Sequence, residues 1–63
     1  MILIKKEWSN GSNGIYIKCT FNDGDVRYAY QNSKGEYVIR NISKNIDFKS
    51  INIGTNINIK ENG

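Results

Sequence analysis

The chain has no proline, no histidine and a single cysteine among its 63 residues. One cysteine cannot close an internal disulfide, so a disulfide-stapled miniprotein is excluded and a reducing, cytoplasmic setting is expected. Without histidine, and with one thiol, zinc sites of the finger or ribbon kind are excluded. Ser–His and Cys–His catalytic pairs fall with them. Long apolar runs are also missing. The longest is Met1 to Ile4, far too short for a membrane-spanning helix. Lys5, Lys6 and Glu7 end it before the apolar region of a secretory signal could develop. Strong helix formers are scarce, with one Ala, one Leu and one Met.

What is present is isoleucine, asparagine and lysine. Eleven of the 24 apolar residues are Ile, and there are ten Asn and seven Lys. Their codons are AT-rich, which points to a low-GC bacterium, its phage or another mobile element as the source. Sixty-three residues make one domain, spanning 1–63, near the lower size limit for folding on a hydrophobic core alone. Such a core is too small to enclose a deep pocket. Nine basic against six acidic side chains give a net charge of +3, a bias that solubility alone would explain.

The dominant period is two. Ile15, Ile17, Cys19 and Phe21 alternate with Tyr16, Lys18 and Thr20, and Val26, Tyr28 and Tyr30 alternate with Arg27, Ala29 and Gln31. Ile51, Ile53, Ile57 and Ile59 repeat the pattern near the end of the chain. Half-buried strands produce this alternation. Asp23-Gly24 predicts a two-residue type I′ hairpin turn. That register pairs Phe21 with Val26, Cys19 with Tyr28 and Ile17 with Tyr30, all on one apolar face. Lys18, Arg27 and Tyr16 then lie on the opposite, polar face.

A second hairpin is expected at Asn32-Ser33-Lys34-Gly35. A four-residue loop places Tyr37 and Ile39 on the core face and Val38 and Arg40 outside; a three-residue loop with Gly35 as a bulge reverses the assignment. The first is preferred, because the second turns Arg40 inward. Met1 to Trp8 reads as an opening strand, Ser9 to Gly14 as a mobile polar loop, and Ser43 to Ser50 as a short helical turn burying Ile46 and Phe48. Ile51 to Lys60 reads as a last strand bent at Gly54. The expected fold is therefore all-β: a strongly bent antiparallel sheet or a small five-stranded barrel of SH3-like or OB-like shape.

Catalytic chemistry has little support. Cys19 falls mid-strand on the apolar face, where a thiol is a small hydrophobe rather than a nucleophile. Asp23 and Asp25 are explained by the turn they flank, and calcium-loop spacing is absent. The remaining carboxylates are scattered. No enzyme, cofactor or metal site is expected.

Two binding functions remain. The first is a protein-binding module that modulates or inhibits another protein, with Trp8, Tyr28, Tyr30 and Tyr37 as its contact residues. The second is nucleic-acid binding through Tyr16, Lys18, Arg27 and Arg40, where cations meet phosphates and tyrosine stacks on bases. The first ranks ahead on the small charge excess. An exposed, apolar Tyr cluster would favour protein, whereas a basic face with Tyr16 turned outward would favour nucleic acid. The isoleucine-rich final strand adds a homodimer expectation through Ile51, Ile53, Ile57 and Ile59.

Overall fold

The computed structural model describes residues 1–40 and 46–57. Four strands are present: β1 Leu3–Gly11, β2 Gly14–Phe21, β3 Val26–Gln31 and β4 Tyr37–Ile39. They form one antiparallel sheet in the order β1-β2-β3-β4, with no helix among the described residues. Chain neighbours are sheet neighbours throughout, as short connections favour. Among the described residues the sheet does not close into a barrel.

The long β1–β2 ladder runs to Gly11↔Gly14, so Ser9 to Gly14 is a tight hairpin and not a mobile loop. Gly14 takes a positive φ of 104°, which a side-chain-bearing residue resists. A β-bulge between Leu3 and Lys5 shifts the register of β1. Leu3 can therefore face the core beside Phe21, while Lys6 and Trp8 reach the same face further along.

The first hairpin differs from its expected register by one residue. Phe21 N–H donates to Asp25 C=O at 2.9 Å, and Gly24 N–H donates to Phe21 C=O at 3.0 Å. The loop is thus Asn22-Asp23-Gly24, three residues long, with Gly24 at φ 89°. Asn22 has another engagement: its N–H donates to Ile2 C=O and its Oδ1 accepts from Ile2 N–H. The Asp23 carboxylate accepts from Asp25 N–H at 3.0 Å and closes the loop. Cys19 consequently pairs with Arg27, Ile17 with Ala29 and Tyr16 with Tyr30. A one-residue slip reverses every side chain of β3. Tyr28 and Tyr30 leave the core face, and Arg27 and Ala29 occupy it.

The second hairpin has the same construction. Asn32 N–H donates to Glu36 C=O and Gly35 N–H donates to Asn32 C=O, enclosing Ser33-Lys34-Gly35 with Gly35 at φ 84°. This three-residue form was the less favoured alternative. The two one-residue shifts cancel, so Tyr37 and Ile39 remain on the core face and Val38 stays outward, as expected.

Residues 46–57 cross the inner face of the sheet. Leu3, Ile17, Cys19, Phe21, Ala29, Tyr37 and Ile39 form the sheet side of the core, and Phe48 and Ile57 cover them. Phe48 N–H donates to Tyr37 C=O at 2.9 Å, and the Asp47 carboxylate accepts from Tyr37 N–H and Lys49 N–H, both at 3.1 Å. At the other edge, Gly54 N–H donates to Leu3 C=O and Ile57 N–H donates to Met1 C=O, both at 2.7 Å. Between these ends, the Lys6 ammonium donates to the carbonyls of Phe48, Lys49 and Ile51. Lys6 therefore ties β1 to the crossing segment by charge-assisted bonds.

The expected final strand does not form among the described residues. Ile51 to Ile57 contains turns and one isolated bridge, Ile2↔Asn56. Ile57 is buried, Ile51 packs on the core and Ile53 is exposed. The expected Ile face is thus divided, and Ile59 lies outside the described residues. Phe48 is buried and Ile46 partly so, as expected; of the expected turn over 43–50, Ser50 N–H closes a hydrogen-bonded turn on Asp47 C=O, and 43–45 lie outside the described residues.

Candidate functional site

The outward face of the sheet carries the candidate site. Cross-strand pairing of Tyr16 with Tyr30 puts their ring centroids 5.5 Å apart at 41°. Tyr28, diagonal to Tyr16, meets it edge to face at 5.6 Å and 78°. Aromatic pairs in this range add cohesion beyond the area they bury. Tyr28 is 46% exposed, and Tyr16 and Tyr30 are half-buried. Gly11 sets the pose of Tyr16: a Cβ there would lie 3.0 Å from Tyr16 Cε1, so the ring occupies the space a side chain would take.

Cations flank the trio. Lys18 lies on the same face, opposite Tyr28 on β3 and Glu7 on β1. Arg40, just past β4, shares an open cleft with Tyr30, Val38, Gln31, Asn32 and Asn13. Lys5 is engaged by Glu7 at 3.7 Å. A neighbouring cleft on the other side of Tyr30 is lined by Gly11, Ser12, Asn13, Tyr16, Tyr28 and Tyr30. Asn13, in the β1–β2 turn, and Tyr30 line both.

The eight residues singled out in the sequence divide between two faces. Tyr16, Lys18, Tyr28 and Tyr30 come together on the outward face, with Arg40 at its rim. Arg27 does not join them. It lies on the Cys19 side of the sheet, where Nε donates to Asp25 Oδ2 at 2.9 Å. Trp8 and Tyr37 meet on the inner face instead, edge to face at 5.0 Å and 80°. Trp8 is 55% exposed, and the neighbouring Ile15 is exposed as well. Of the four residues expected to form one protein contact, Tyr28 and Tyr30 thus lie on the outward face and Trp8 and Tyr37 on the inner one, while a cleft at the strand ends is lined by both Tyr30 and Tyr37. Reading Asn22-Asp23-Gly24 as a three-residue loop ending in glycine would have found the tyrosine trio from sequence.

Burial raises the Cys19 thiol to about 11, with nearby Lys6 opposing the shift weakly. It is a buried core thiol with its Sγ–H directed at Ile17 C=O. Asp47 is held below its ordinary value, first by the Tyr37 N–H it accepts and also by Lys49. Both groups serve the fold. No cluster of three or more metal-ligating side chains occurs among the described residues. No family profile, curated protein or solved structure matches the chain.

Proposed function

We propose that this chain is a non-enzymatic binding module whose outward sheet face takes single-stranded nucleic acid. The observation that carries the reading is the Tyr16–Tyr28–Tyr30 cluster, turned away from the core and bordered by Lys18 and Arg40. A hydrophobic core accounts for tyrosines on the inner face, not for three on the outer one. Bases stack on exposed aromatic rings with little regard to sequence, and each stack contributes about 1–3 kcal/mol. Lys18 and Arg40 meet phosphates. A duplex hides its base faces and gains only the charge contribution.

Fluorescence anisotropy with labelled oligothymidylate and a duplex of equal length tests this. The single strand binds more tightly, and Tyr28→Ala weakens binding about tenfold, from the loss of one stack. Two phosphate-contacting cations give a salt slope of about −1.4 in log K against log salt for single strands. Equal binding of duplex and single strand, or no binding at low salt, refutes the reading.

A protein partner is the second reading, and it rests on the other face. Trp8 and Ile15 leave much of their apolar surface uncovered beside Tyr37. Exposed aromatic anchors of this kind are common at protein interfaces. Capture of a partner from nuclease-treated lysate, lost in Trp8→Ala and kept in Tyr28→Ala, would support this reading over the first.

A further inference from the structure

The two clefts beside Tyr30 differ in chemistry, and the difference bears on which base each would hold. This inference rests on the single-strand reading above. The cleft formed with Tyr16 and Tyr28 is walled by rings and by the small residues Gly11 and Ser12, with Asn13 at its margin. It offers stacking. The cleft on the β4 side, about 460 Å³, has Tyr30 and its cross-strand neighbour Val38 as an apolar floor. Arg40, Gln31, Asn32 and Asn13 make a polar rim around that floor.

These rim groups are not equally available. Asn32 is committed to its own loop: Oδ1 accepts from Lys34 N–H and Glu36 N–H, and Nδ2 donates to Glu36 Oε1. Gln31 donates to Gly35 C=O at 3.5 Å. The Arg40 and Asn13 side chains make no such bond among the described residues. An open apolar floor bordered by an unengaged guanidinium suits a flat ligand with acceptors along one edge.

We propose that the Tyr30–Val38 cleft prefers guanine, with Arg40 reading its edge. Guanine presents O6 and N7, two acceptors side by side, which match the forked donors of a guanidinium. Adenine replaces one of them with the N6 donor, which would face a side chain that can only donate. The Asn13 amide, with both a donor and an acceptor, can take part from the opposite rim. Thymine in the same cleft keeps the stacking contact and gains less from the rim.

A competition between oligothymidylate strands carrying one central substitution decides the matter. A single dG in a dT host avoids the self-association of guanine-rich strands. The dG strand is expected to bind about tenfold more tightly than the dA strand, in the range of one bidentate base contact. Arg40→Met keeps the apolar stem but removes every donor, and brings the dG-to-dA ratio close to one. Equal affinity for dG and dA, with the dT host still bound, overturns the guanine assignment and leaves the stacking face standing. A preference that persists in Arg40→Met also overturns it. Failure of every strand to bind removes the single-strand reading and this one with it.

Discussion

Two adjacent residues of β3 discriminate sharply between the possible registers of the central hairpin. Tyr28 points outward and Ala29 inward, where Ala29 is fully buried among Ile17, Cys19 and Ile39. Tyr28→Ala removes an exposed ring and its edge contact with Tyr16, which is 5.6 Å away. The expected cost is about 1 kcal/mol, the scale of one aromatic pair or one cross-strand pair. Had Tyr28 faced the core opposite Cys19, truncation would cost about 3–5 kcal/mol, as for other buried aromatics. Ala29→Leu tests the other side. It forces a larger side chain against a packed layer, at an expected cost of about 1–3 kcal/mol, whereas an outward position would accept Leu with little change. Urea denaturation followed by far-ultraviolet circular dichroism measures both. A Tyr28→Ala loss above about 3 kcal/mol, with Ala29→Leu neutral, would refute the three-residue loop at Asn22-Asp23-Gly24.

Three further outcomes follow from the packing. Lys6→Met leaves the carbonyls of Phe48, Lys49 and Ile51 without their cation, and is expected to cost about 2 kcal/mol, read from the shift in denaturation midpoint. Burial holds the Cys19 thiol to about 11 against 9.0 in the unfolded chain, so its contribution is complete below pH 9 and declines as pH rises through 11, at up to about 1.4 kcal/mol per pH unit. Stability of the parent and Cys19→Ala should therefore converge across that interval. Gly11→Ala displaces the Tyr16 ring and weakens oligothymidylate binding more than it shifts the thermal midpoint, because the crowded atom is the far end of a side chain.

Much of the fold is legible in the period-two pattern: four strands, their antiparallel order and the inward set Ile17, Cys19, Phe21, Tyr37 and Ile39. The candidate site is less so, because its composition depends on a single residue of loop length. Asp23-Gly24 is the usual mark of a two-residue turn, and that local signal loses to two others. Asn22 is drawn into pairing with Ile2, a residue twenty positions away, and Gly24 suits the left-handed end of a three-residue loop equally well. Val26, Tyr28 and Tyr30 read as the core face by size, whereas the single small Ala29 gives no comparable signal for the opposite face that the structure buries. The last segment illustrates a different limit. Its isoleucines alternate as in a strand, but Lys6 and Asp47 hold 47–51 in turns through main-chain contacts that no side-chain pattern announces.

Tyrosine ring resonances give the most direct test of the proposed face, since the four tyrosines divide between the two sides of the sheet. In a titration of the protein with oligothymidylate, followed by aromatic nuclear magnetic resonance, the ring signals of Tyr16, Tyr28 and Tyr30 are expected to shift together and saturate at one affinity. Tyr37, on the inner face against Trp8, is the internal control and should stay in place. Movement of Tyr37 and Trp8 with the outer three unchanged would contradict the account, and so would a titration in which no tyrosine ring moves.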